Sequence, residues 1–212
     1  MLLYLVRHGE KERSKNQIGK PIAQHGLSKS GLEQAKRAGI FFKSKKIDVV
    51  YCSELERAKQ TLNKILPYLN KSKVIYTKDI NERSWGIHKT REEFEQALQK
   101  SEIKDYKFKP VGGEDYFDVE KRAQNFLNFL VKNHEEHNVL LVGHGIFFRF
   151  LILRMFKLHM NEITNFELSH GGISTFKIEK SKIVDFHLDE SNHLLEHSSY
   201  ERESFDEGTP KF

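Results

Sequence analysis

The chain has 212 residues, of which 38% are hydrophobic and 31% charged, enough apolar material for one domain with a buried core and too much for a disordered chain. No stretch approaches the roughly 20 apolar residues of a membrane span, and the single Cys52 allows neither an internal disulfide nor a cysteine metal site. The apolar run from Leu2 to Val6 meets Arg7 with no basic segment before it, so no secretory signal is expected and a soluble, cytoplasmic protein is. The net charge of +5 conceals an asymmetry, because residues 185–212 hold eight acidic residues against Arg202 and Lys211. The rest of the chain is therefore strongly basic, which suits phosphorylated substrates, membrane surfaces or nucleic acid. Its lysines are scattered, with no stacking aromatics interleaved in a basic run. A solvated lysine-rich surface explains them, and neither nucleic acid nor membrane is expected as a partner.

Taken in order, Leu2 to Val6 reads as a buried strand, followed by a polar segment from Gly9 to Gly26. Ser28 opens a helix with Leu32, Ala35, Ala38 and Phe41 or Phe42 at helical spacing. Ile47 to Tyr51 is a second strand. Ser53 and Glu56 form a capping-box pattern at the start of a helix to about Leu69. Val74 to Tyr76 is a third strand, and Thr90 with Glu93 opens a helix through Leu98. Lys100 to Gly113 is basic and loop-like. Glu114 to Asn133 reads as a long amphipathic helix using Phe117, Val119, Ala123, Phe126, Leu127 and Leu130. The apolar strand from Val139 to Val142 turns through Gly143-His144-Gly145 into an apolar helix, Ile146 to Phe156. Two late strands run from Ile173 to Ile178 and from Ile183 to Leu188. This alternation predicts an α/β fold, a three-layer sandwich with a mostly parallel central sheet flanked by helices. Residues 1–195 are expected to form one catalytic domain, and 196–212 a polar, acidic, flexible tail.

Two places share one design, an apolar strand ending in a histidine beside glycine: Val6-Arg7-His8-Gly9 and Val142-Gly143-His144-Gly145. In parallel α/β sheets ligands sit outside the carboxyl ends of the strands, so both histidines can converge on one site. Arg57 starts near the same edge, and its guanidinium with that of Arg7 can clamp a phosphoryl group. Glu82 follows the third strand, where a carboxylate can serve a leaving alcohol as proton donor.

These pieces, in this order, resemble the histidine phosphatase superfamily, with its phosphoglycerate mutase-like fold, over roughly residues 2–194. Arg7-His8-Gly9-Glu10 matches its first signature, Ser53 to Thr61 around Arg57 its second, and Val142 to Gly145 its second-histidine motif. Leu27 to Gly31 with Gln34 and Ala35, Asn81-Glu82-Arg83, and Gly112-Gly113-Glu114 with Asp118 and Arg122 are similar to further family motifs. Departures occur where many members carry a phosphate-binding asparagine. Ser14 stands there, leaving Asn16 as the candidate. Gly86-Ile87-His88-Lys89-Thr90 departs from another common family stretch, and His170 to Ser174 stands at the family's strand entrance.

The resemblance implies metal-independent phosphomonoester hydrolysis through a phosphohistidine on His8. Arg7, Arg57 and His144 would hold phosphoryl oxygens, and Glu82 would act as acid and then base. It implies no metal and no cofactor, with a small phosphorylated molecule as substrate. His134 and His137 lack a metal-site pattern and read as solvated surface. The mutases of the family carry a long insertion over the site, whereas only residues 83–113 separate Glu82 from Glu114 here, which favours hydrolysis. The alternatives are mutase-type phosphoryl transfer and a non-catalytic protein that binds a phosphorylated ligand.

Overall fold

The computed structural model describes residues 1–12, 21 and 24–194. Asn16 and the acidic tail at 196–212 lie outside the described residues. Six strands form one sheet in the order β3-β2-β4-β1-β5-β6. They are β1 (Leu2–Arg7), β2 (Val49–Ser53), β3 (Lys73–Thr77), β4 (Asn138–Gly143), β5 (Ile173–Glu179) and β6 (Lys182–Glu190). The first four are parallel, and β5 and β6 add an antiparallel hairpin beside β1. Among the described residues five α-helices accompany them: α1 (Lys29–Phe41), α2 (Glu56–Ile65), α3 (Arg91–Ser101), α4 (Tyr116–Asn133) and α5 (Gly145–Phe156).

Strand alternation builds the three layers. Leu3, Leu5, Tyr51, Val139 and Leu141 point into one core with the buried faces of α4 and α5. Tyr4, Val6, Val50, Cys52, Leu140 and Val142 point into the other, with Ala38 and Phe42 at α1 and Ala58, Leu62 and Ile65 on α2. The central strands are apolar on both faces because helices cover both. Burial also pushes the Cys52 thiol up to about 12, so it behaves as a packed apolar group. Among the described residues no helix is long and apolar enough to cross a membrane.

Local chemistry sets most helix starts. Ser28 Oγ accepts the Gly31 N–H, and Thr90 Oγ1 accepts that of Glu93, each satisfying one of the otherwise unpaired first-turn amides. At α4 the capping box joins Asp115 and Asp118, and the helix begins at Tyr116, two residues later than the expected start at Glu114. Tyr116, in phase with Val119, Ala123, Phe126 and Leu130, is buried while Phe117 on the opposite side is exposed, a correction to the expected apolar face. The expected box at Ser53 does not form. Ser53 ends β2, Leu55 caps α2 without a side-chain bond, and Glu56 turns instead to Gln60. A further correction concerns His134. It is buried, bonded through Nε2 to the Tyr51 hydroxyl at 2.8 Å and through Nδ1 to His137 Nδ1 at 3.0 Å. The turn after α4 folds it back over Tyr51, and only His137 remains on the surface.

Candidate active site

Because β4 lies between β1 and β2, the carboxyl ends of all three strands stand side by side. They deliver Arg7 and His8, Ser53, and Gly143 and His144 to one edge. The His8 N–H is held by the Gly143 carbonyl at 3.0 Å, and Gly171 N–H donates to the Arg7 carbonyl at 3.0 Å. The loop after His8 is tied to both helices of its layer: Gly9 N–H donates to Thr61 Oγ1 on α2, and Glu10 N–H to Gln34 Oε1 on α1. A Cβ on Gly9 would lie 2.3 Å from the Gly31 carbonyl oxygen, and one on Gly31 2.1 Å from that of Glu10. Only glycine permits this approach of loop and helix. The resembling motif at 27–35 thus shapes the backbone behind the site.

His8 is 4% exposed. Its Nδ1 lies 2.7 Å from the Gly9 carbonyl, which can only accept, so Nδ1 carries the proton. Nε2 is therefore the bare nitrogen, and it accepts from Arg57 Nε–H at 3.2 Å. Burial, then the charges of Arg57, His144, Arg7 and His170, hold its pKa well below the ordinary imidazole value, so the ring is neutral. Arg57 is buried in the first turn of α2, and Arg7 donates to the Leu168 carbonyl at 2.5 Å.

His144 is fully buried, its ring 5.1 Å from that of His8. Its Nε2 lies 2.7 Å from Ser53 Oγ. The one Ser53 hydroxyl proton goes to Asn81 Oδ1 at 2.7 Å, an oxygen that also accepts the Glu54 N–H. Ser53 Oγ is accordingly an acceptor for both Leu55 N–H and His144 Nε2–H. That leaves His144 Nδ1 with no hydrogen-bond partner among the described residues. Burial first, then Arg57, Arg7 and Arg122, lowers the pKa of His144 well below the usual value. An arriving anion opposes those cationic charges and favours a proton on Nδ1.

Glu82 accepts the Arg83 N–H at 3.1 Å and the Ile146 N–H, in the first turn of α5, at 3.3 Å. Its loop is braced by Arg122, which donates to the Asp79 and Asn81 carbonyls at 2.9 and 2.8 Å while gripping both Glu114 oxygens at 2.9 Å. Glu114 in turn accepts the Ser84 N–H. Arg122 and Glu114 therefore act as a strut for the Glu82 loop.

Arg7, His8, Arg57 and Glu82 line a cavity of about 720 Å³, and His144 stands against His8 behind it. The structure brings together every described candidate residue. Three contributors were missed. His170 lines the cavity with its ring 5.4 Å from His8. The available signal was a third histidine–glycine pair beside a strand, His170-Gly171. Ser53 and Asn81 orient His144 through hydrogen bonds between residues far apart in the chain. A bare, neutral imidazole nitrogen between guanidinium groups suits an anionic electrophile such as a phosphoryl group.

The chain is 27% identical over 190 residues to the 2,3-bisphosphoglycerate-dependent phosphoglycerate mutase of Parvibaculum lavamentivorans, covering 84% of this chain and 90% of that protein. It is 36% identical over 135 residues to the fructose-2,6-bisphosphatase TIGAR of Bos taurus, covering 60% of this chain and 50% of that one. A crystal structure described as a putative α-ribazole-5′-P phosphatase from Escherichia coli superposes with a TM-score of 0.74 at 24% identity, covering 89% and 95% of the two chains. Residues 3–188 match the histidine phosphatase superfamily (branch 1), and the chain belongs to that family, whose members are phosphatases or mutases.

Proposed function

We propose that the protein hydrolyses phosphomonoesters without a metal, through a phosphohistidine on His8. The observation that carries this reading is the bare Nε2 of a neutral, buried His8 with the Arg57 guanidinium 3.2 Å away. Substrate draws Arg57 from that nitrogen onto a phosphoryl oxygen, while Arg7 takes another and His144, protonated on Nδ1, donates to a third. The Nε2 lone pair then attacks phosphorus as the bond to the leaving oxygen breaks, and Glu82 gives that oxygen its proton. Water next attacks the phosphohistidine, losing its proton to Glu82. The N–P bond breaks and inorganic phosphate leaves. Phosphoryl transfer needs position and positive charge above all, and the two arginines with His144 provide both.

Hydrolysis is favoured over isomerisation because the cavity, at about 720 Å³, is much larger than a phosphoglycerate. Water can reach the phosphoenzyme. The phosphatases among the similar proteins agree with this reading, whereas the mutase similarity favours phosphoryl return to a second hydroxyl. The purified protein should release inorganic phosphate from members of a panel of sugar phosphates, phosphoglycerates, nucleotides, phosphopeptides and aryl phosphates. Interconversion of 2- and 3-phosphoglycerate without phosphate release would favour the mutase reading. Binding with no turnover of any ester would leave a binding protein.

A further inference from the structure

We infer that the outer half of this cavity receives a flat, apolar ring carried by the leaving alcohol, with Trp85 as its contact. The inference rests on the phosphomonoesterase reading and adds the class of substrate. The arginines, His8 and Glu82 occupy the phosphoryl end. At about 720 Å³ the cavity falls in the range that encloses a drug-sized ligand, far more than a phosphoryl group on a three-carbon acid. The remaining wall comes from the loop and first turns of α3, through Trp85, Phe94 and Leu98, with Leu55 and Ile146 contributing from other elements.

That wall is braced by contacts within the protein. Trp85 stacks on Phe94 with centroids 5.1 Å apart and planes inclined by 21°, and Phe94 meets Phe108 edge-on at 5.5 Å. Behind them the Arg83 guanidinium lies 5.1 Å from the Phe94 ring and 4.8 Å from that of Tyr116. Arg83 is itself fixed by Asp105 Oδ1 at 2.7 Å and by the Glu114 and Phe108 carbonyls at 2.9 and 2.7 Å. Gly86, at φ 62°, lets the Trp85 loop lie against residues 111–113, since a Cβ there would stand 2.0 Å from the Val111 oxygen. A pre-ordered aromatic surface costs little to occupy.

Each guanidinium beyond the phosphoryl end is matched by a carboxylate: Arg83 by Asp105, Arg91 by Glu95 and Arg122 by Glu114. The half-buried Trp85 is left as the largest unsaturated surface lining the cavity.

Trp85 is the sole tryptophan of the chain, so its emission reports contact directly and without turnover. The non-hydrolysable probes are benzylphosphonate, propylphosphonate and inorganic phosphate, titrated into the wild-type protein with calorimetry alongside. Benzylphosphonate should change the emission saturably and bind about tenfold more tightly than propylphosphonate, and phosphate should displace it while leaving the emission unchanged alone. Trp85→Leu should remove that preference, and so should Phe94→Leu, which retains the reporter. Equal affinities for the two phosphonates, or emission unmoved at calorimetric saturation, would overturn the inference while leaving hydrolysis intact. Ring-dependent binding with no phosphate release from any ester would sustain the ring site and refute the hydrolytic reading.

Discussion

Ser53→Ala isolates the control of His144. The hydroxyl is fully buried and serves three groups. Removing it leaves Asn81 Oδ1 with the Glu54 N–H, but strips Leu55 N–H and His144 Nε2–H of their acceptor. A buried donor left unsatisfied costs about 1–3 kcal/mol. Neutral His144 can escape part of this by moving its proton to Nδ1, so the loss should be about 2–4 kcal/mol, a fall in Tm of roughly 4–16 °C for a chain of this size. The functional consequence is separate. In the wild type an incoming phosphoryl group meets a doubly protonated His144 whose Nε2–H is still accepted by Ser53. In the variant the imidazolium lacks that acceptor but still donates from Nδ1, and kcat/KM should drop about 10–100-fold, less than the roughly 10²–10³-fold for losing a transition-state donor outright. Ring ¹⁵N shifts of His144, recorded well below the variant's Tm, should move from the Nε2–H to the Nδ1–H pattern. A folded variant with an unchanged tautomer and unchanged kcat/KM would refute the reasoning.

Glu82→Gln keeps size but cannot donate a carboxylic proton, so turnover of an alkyl phosphate should fall about 10²–10⁴-fold. The burst with p-nitrophenyl phosphate, whose leaving group is stable as an anion, should fall much less. Equal burst losses for both esters would remove the acid role. Dialysis against EDTA should leave the rate unchanged, because Arg7 and Arg57 provide the charge, and a strict divalent-metal requirement would count against the mechanism. Stability should fall on acidification below about pH 6.5, since His8 and His144 titrate lower in the fold than in the unfolded chain. The unfolded state then binds more protons, at up to about 1.4 kcal/mol per pH unit for each ring. Urea melts at pH 7.5 and 5.5 read this directly, and greater stability at the lower pH would contradict the assignment.

Much of this was legible because the chemistry follows strand ends. Arg7, His8 and His144 terminate apolar runs beside glycine, Arg57 opens the next helix, and the alternation of strands with helices fixes the layers. The limits have physical causes. The pattern at Ser53 suits a helix cap, yet a buried hydroxyl within reach of His144 and Asn81 is engaged there. At about 100° per residue Phe117 lies opposite Val119, Ala123, Phe126 and Leu130, and Tyr116 takes the core face in its place. His134 looks like surface because it sits among charges, but Tyr51 on the neighbouring strand gives it a buried partner. His170 reaches the site only because β5 returns antiparallel beside β1, bringing Gly171 against the Arg7 carbonyl.

The central claim is that His8 carries the phosphoryl group, and trapping the intermediate tests it most directly. Enzyme mixed with p-nitrophenyl phosphate, quenched in alkali within the burst, digested and read by mass spectrometry should carry phosphate on the peptide containing His8. That phosphate should be lost on brief acid treatment, as expected of a phosphoramidate, and absent from His8→Ala. Phosphate on His144 or on a serine, or full turnover by His8→Ala, would contradict the account.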